Sequence, residues 1–157
     1  MRKRIISPEL GRPTTTQEAW LDLNKIASVE LTSEDPVFPI ESALSSGDNQ
    51  GWRAAEAGVQ TIRLVFDQPQ SLRRISLVFE ETEIKRTQEF TLSWSPDRGN
   101  SFQEIVRQQW NFSLPDATRE TENYAVQLSK VTFLDLTIEP DKENRKARAS
   151  LRSLRVA

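Results

Sequence analysis

Apolar and polar residues alternate along much of this chain, most cleanly between positions 60 and 80. Ile62, Leu64 and Phe66 fall on one face of an extended run, and Ile75, Leu77 and Phe79 on one face of a second. Successive strand side chains point to opposite sides, so a two-residue period means one buried and one wet face. Asp67-Gln68-Pro69-Gln70 separates the runs, and Pro69 cannot donate to a ladder. The pattern predicts two antiparallel strands joined around Pro69 and entered from a Trp-bearing loop.

Similar alternation recurs on either side. Thr15-Thr16-Gln17-Glu18 reads as a capping box opening a short helix to about Asn24, with Ala19, Trp20 and Leu23 on one face. A strand is expected over 26–31, a turn at 33–36, a short extended piece over 37–40, and a polar loop over 45–51. Phe90, Leu92 and Trp94 point inward from a strand over 87–95, and a return strand places Phe102, Val106 and Trp110 on one side. After a polar loop over 111–123, Tyr124, Val126 and Leu128 mark one strand, and Leu134, Leu136 and Ile138 the next. Residues 139–146 form a charged loop, and the closing strand carries a bulge near Ser153, because Leu151 and Leu154 are three apart. No βαβ alternation appears. The expected architecture is all-β: an eight-stranded antiparallel jelly-roll β-sandwich over 26–157, preceded by an arm and short helix over 1–25.

Composition narrows the chemistry. The 157 residues suffice for one domain with a true core, and 36% apolar with 28% charged suits a sandwich with wet outer faces. The net charge of −2 gives no global attraction to nucleic acid or anionic membrane. With no cysteine and no histidine, disulfides, Cys/His zinc sites, thiol catalysis and a Ser-His-Asp triad are excluded. No apolar run reaches membrane-span length. Only Ile5 and Ile6 follow the basic opening before Ser7-Pro8, so no signal peptide is read and a cytoplasmic location is expected.

Several residues invite a functional reading beside a structural one. Trp52 serves either as a core anchor or as a stacking surface for sugar; Arg53 pairs either with Glu56 or with a hydroxyl or anionic ligand. Trp110-Asn111-Phe112 places an aromatic ring beside an amide, the pair a carbohydrate platform uses to cover C–H faces and read hydroxyls. Ser95-x-Asp97-x-Gly99-x-Ser101 is a turn device in which the Asp accepts backbone N–H groups and Gly supplies positive φ. Glu80, Glu81 and Glu83 cluster after a strand, but Glu80 and Glu81 point to opposite faces if the strand continues. Lys142, Arg145, Lys146, Arg148, Arg152 and Arg155 make a basic stripe opposed only by Glu143, with Arg148 and Arg152 on one strand face. No nucleophile–base pair can be assembled, so no enzyme is expected.

The order of these motifs resembles a known family. A polar loop ending in Trp52 leads to Gln60-Thr61-Ile62-Arg63-Leu64 and Leu72-Arg73-Arg74-Ile75. Then come Phe90-Thr91-Leu92-Ser93-Trp94-Ser95, Asp97-x-Gly99-x-x-Phe102, Phe133-Leu134-Asp135-Leu136-Thr137-Ile138 and Ser150-Leu151-Arg152-Ser153-Leu154-Arg155-Val156. Over about residues 26–157 this resembles the discoidin, or coagulation-factor type C, family of the galactose-binding-like fold. The resemblance implies a jelly roll that binds sugars, phospholipid head groups or proteins through loops at one end, and in some members a structural calcium in the loop before the Trp. Here Asp48 and Asn49 stand in that loop, in the order Gly-Asp-Asn where the family often has Asp-Gly-Asn. The segment from Trp52 to Ile62 is also similar to part of the N-terminal domain of the vertebrate single-strand-break repair scaffold, which implies the same kind of fold and binding to nicked DNA and a polymerase.

The expectation is therefore a non-catalytic module that binds carbohydrate through Asp48, Asn49, Trp52, Arg53, Trp110 and Asn111. The alternative is a protein-interaction or assembly module touching nucleic acid through the basic stripe, a ligand the overall charge does not favour.

Overall fold

The computed structural model describes residues 20–45 and 50–157. Their elements are helix α1 (Leu23–Ile26), strand β1 (Ala27–Leu31), helix α2 (Glu41–Leu44) and strands β2 (Trp52–Ala57), β3 (Gln60–Glu80), β4 (Arg86–Ser95), β5 (Gln103–Phe112), β6 (Arg119–Glu139), β7 (Arg148–Leu151) and β8 (Ser153–Val156). All recorded pairings are antiparallel.

The two alternating runs around Pro69 are not a hairpin. They are halves of one 21-residue strand, β3, whose partner throughout is the equally long β6. The two runs expected over 124–128 and 134–138 are likewise halves of β6. The β3–β6 ladder jumps from Val65–Phe133 to Gln70–Val131, so the exposed Asp67-Gln68-Pro69 segment bulges out of register, and Lys130 opposite takes φ 60°. Pro69 thus sits where no bond to β6 is asked of it. A strand bent by such a bulge passes from one layer of a sandwich to the other. The first half of β3 pairs with β1 and the second half half pairs with β8. The sheet order is β1-β3-β6-β4-β5, with β8 beside β3 and β2–β7 as a separate ribbon.

The bend turns both inward faces toward each other. Ile62, Leu64 and Phe66 meet Ile75, Leu77 and Phe79, all at most 1% exposed, and Phe79 stacks on Phe90 of β4 with ring centroids 5.1 Å apart. Full burial of such a side chain contributes about 1.5–3 kcal/mol. Leu23 of α1 and Ala43 and Leu44 of α2 close the same core.

Other differences from the expected elements have local causes. The helix is a single turn at Leu23–Ile26, with Trp20 to Asp22 outside it; positions 15–19 lie outside the described residues. Residues 37–40 are held by an Asp35–Phe38 bridge and run into α2 rather than forming a strand. Trp52 opens β2 rather than lying in a loop. A bulge between Leu92–Val106 and Ser93–Glu104 turns Phe102 away from Val106 and Trp110. Phe102 is 40% exposed on the outer face, beside Phe133 and 5.4 Å from the Arg63 guanidinium. The bulge expected near Ser153 is a full change of partner: β7 pairs with β2, Arg152 donates its N–H to the Val78 carbonyl, and β8 pairs with β3. The Ser95-x-Asp97 device is a turn as expected: Ser101 donates both its N–H and its hydroxyl to Asp97, at 2.8 and 2.7 Å, and Gly99 takes φ 91°.

Candidate functional site

A cleft of about 290 Å³ opens at one end of the sandwich, where the start of β2, the end of β3 and the β7–β8 junction converge. Gly51 makes the convergence close. It adopts φ +84°, and a Cβ there would lie 2.5 Å from the Leu151 carbonyl oxygen. Only glycine fits both the positive φ and the space. The next residues pair across the ribbon, Trp52 with Leu151 and Arg53 with Ser150.

Trp52 borders the cleft from below. It is 1% exposed, and its indole N–H donates to the Ser33 carbonyl at 3.2 Å. It anchors the floor and offers a ligand no open ring face. Arg53 is the reaching residue: its backbone N–H is held by the Phe38 carbonyl, and its guanidinium lies 5.2 Å from the Phe38 ring centroid. Stacking on an aromatic face pre-orients the planar fork of donors.

The opposite wall comes from the end of β3. Glu80 and Glu81 both border the cleft, because the strand stops at Glu80 and the chain turns there. The expectation that they diverge assumed a continuing strand. Glu81 is already engaged: one carboxylate oxygen accepts from Arg86 Nε at 2.6 Å and the other from the backbone N–H groups of Glu83 and Ile84. Among the described residues the Glu80 side chain bonds only to Arg119, at 3.5 Å, so it keeps acceptor capacity where it borders the cleft. Gln50 and Ser150 add an amide and a hydroxyl. The result is a shallow polar cleft with fixed donors at Arg53, an acceptor at Glu80 and aromatic material beneath, suited to a small neutral molecule dense in hydroxyl groups.

Of the six residues expected to bind ligand, Trp52 and Arg53 border this cleft. Asp48 and Asn49, in the loop where some members of the resembling family hold a calcium, lie outside the described residues. Among the described residues no group of three or more Asp and Glu side chains is arranged to hold a metal ion. Trp110 and Asn111 are neighbours on β5 and so occupy opposite faces. Trp110 lies opposite Gln88 and packs against the core, whereas Asn111 is exposed and accepts from the Thr87 hydroxyl at 2.9 Å. They form no common platform, and neither lines the end cleft. In the basic stripe, Arg148 reaches Asp35 from β7 while Arg152 stands at the strand junction, so the two do not share a face of one strand. Phe38, Glu80 and Ser150 join the site through pairings distant in sequence. Glu80 stood out locally in its acidic cluster, whereas Ser150 reaches the site through its register with Arg53, visible only once β2 and β7 are known to pair.

No family model matches the chain, and no curated protein matches it. Solved structures do. CpGH89CBM32-5 from Clostridium perfringens, solved with GalNAc-β-1,3-galactose, superposes with TM-score 0.64 at 20% identity, covering 88% of this chain and 99% of that one. CBM32-3 from a family 31 glycoside hydrolase of the same organism gives 0.64 at 18% identity, covering 90% and 96%. The family 32 carbohydrate-binding module of C. perfringens NanJ, solved with galactose, gives 0.61 at 13%, covering 87% and 96%. This chain therefore has the galactose-binding-like β-sandwich fold of those modules. The Trp52–Ile62 likeness to a repair scaffold gains no support from these structures; that segment is β2 and the start of β3.

Proposed function

We propose that this chain is a non-catalytic carbohydrate-binding module whose sugar site is the end cleft. The observation that carries the reading is the cleft's composition: a guanidinium stacked on Phe38, with the Glu80 carboxylate, the Gln50 amide and the Ser150 hydroxyl lining the same cleft. Vicinal sugar hydroxyls are read by such donor–acceptor pairs, and a cleft of about 290 Å³ suits one ring at a time. Two of the similar structures were solved with galactose-containing ligands, which supports the same ligand class here. Glu81 is bound to Arg86, which leaves Glu80 without a second free carboxylate for glycosidic chemistry. Within this fold, the order of motifs from Trp52 to Val156 supports a place beside the discoidin, or coagulation-factor type C, family.

Calorimetric titration with a panel of neutral mono- and disaccharides tests the reading. At least one sugar binds, and Arg53→Ala weakens it about tenfold or more with an unchanged melting temperature. Binding that is equally strong in Arg53→Ala removes the cleft from the account.

A further inference from the structure

Arg152 borders both the end cleft and a second hollow, of about 480 Å³, on the outer face of the layer formed by β8, β3 and β6. Register alone builds its floor. Ile75, Leu77 and Phe79 point inward, so Ser76 and Val78 point out, and their direct partners Arg155 and Ser153 on β8 point out with them. On the other side Arg119 of β6 lies opposite Glu80. Arg119, Arg152, Arg155, Ser76 and Ser153 therefore border one hollow, with Trp20 at its rim held by the Arg74 guanidinium at 4.1 Å.

No acidic residue is among the described residues lining this hollow, although the chain as a whole carries a net charge of −2. The Arg155 side chain makes no hydrogen bond or ion pair with any described residue, and neither do the Ser76 and Ser153 hydroxyls. Arg119 holds Glu80 only by a 3.5 Å contact, at the boundary with the end cleft. Three guanidiniums interleaved with free hydroxyls form a surface for an anion that also carries hydroxyl groups. A planar carboxylate matches the guanidinium fork in a two-point contact.

We propose that this hollow is a second subsite that seats the acidic group of a saccharide whose neighbouring ring occupies the end cleft. This rests on the carbohydrate reading above. The surroundings disfavour nucleic acid: among the described residues lining the hollow Trp20 alone is aromatic, which gives no ladder for stacked bases, and Glu80 at one end, with Asp22 beside Trp20 at the other, repels a uniform polyanion.

Calorimetry at low and moderate salt, with native protein and with Arg155→Gln and Arg119→Gln, tests the proposal. The probes are tetrasaccharides of galacturonate, glucuronate and mannuronate, their carboxyl-reduced counterparts, a heparin-derived tetrasaccharide and a short DNA duplex. The expected result is at least one acidic saccharide binding tenfold or more tighter than its reduced counterpart. Arg155→Gln removes that advantage while leaving neutral-sugar binding and the melting temperature unchanged. Preference for the uronates over the heparin fragment identifies a carboxylate, and the reverse a sulfate. If neutral and acidic chains bind alike, or Arg155→Gln and Arg119→Gln both behave as native, the second subsite is overturned while the end cleft stands. If no saccharide binds at all, both readings fall together. Tighter, Arg155-dependent binding of the duplex overturns the proposal in favour of a nucleic-acid face.

Discussion

Arg86 places a full charge between the layers. Its side chain is fully buried, its Nε meets Glu81 at 2.6 Å, and one terminal nitrogen donates to Gln88 and to the Pro140 carbonyl at 2.9 and 2.8 Å. The guanidinium lies 4.7 Å from the Phe112 ring centroid. Removing one member of such a pair leaves its partners desolvated, a cost of about 3–5 kcal/mol. Urea unfolding of Arg86→Met is expected to show a loss of that size. Sugar affinity should fall too, because Glu81, freed from Arg86, no longer fixes the Glu83 and Ile84 amides beside the cleft wall. Beyond Gln88 lies Glu120, fully buried, whose carboxyl is pushed up to about 8, first by burial and then by its hydrogen bond to Glu122 and that residue's charge. Gln88 and Arg86 from β4 pull the other way. The folded state therefore holds a proton that the unfolded chain releases near 4.5, so stability is greatest below that value and is lost as pH rises toward 8. One proton sets the steepest slope at about 1.4 kcal/mol per pH unit. Denaturant titrations from pH 5 to 8.5 should show this decline in the native protein and a flatter profile in Glu120→Gln; parallel profiles would contradict it.

Among the elements, β3 decides the architecture. Its bend is predicted to appear in hydrogen exchange: amides around Ile62–Val65 and Ile75–Phe79 exchange slowly, separated by a fast gap at Asp67 and Gln68. Uniform protection through that gap would contradict the bulge. The short β2–β7 ribbon depends on Gly51. Gly51→Ala meets the Leu151 carbonyl and the Arg152 Cα at 2.5 and 2.8 Å and should cost about 1–3 kcal/mol in a thermal or urea melt. The inward positions were legible in the alternation itself, and so was the turn at Asp97. That Ile62 and Ile75 belong to one strand was not, because Pro69 normally ends a run and nothing local distinguishes a hairpin from a bulged bend. A clue existed: the inward parity shifts from even to odd between Phe66 and Ile75, as a bulge within one strand requires. The cleft was half legible. Trp52 and Arg53 stood out locally, but Phe38, Glu80 and Ser150 reach them through pairings that short-range patterns do not contain. Adjacency in sequence misled at Trp110-Asn111, where strand geometry sends the two side chains to opposite faces.

At the scale of the whole molecule, charge is sorted rather than merely balanced. Acidic groups crowd the end of β3, while Arg119, Arg152 and Arg155 gather on the outer face of the β8–β3–β6 layer. The two proposed subsites share Arg152, so the acidic end cleft and the cationic hollow border one residue. Both depend on the sandwich bringing remote strand ends together. The most direct test of the account is an NMR titration of labelled protein with the best neutral sugar from the panel. The account predicts saturable amide shifts confined to Phe38, Gln50–Arg53, Glu80–Thr82 and Ser150–Arg152, lost in Arg53→Ala. Saturable shifts centred elsewhere, for instance along β5 near Trp110, or no shifts with any sugar, would contradict it.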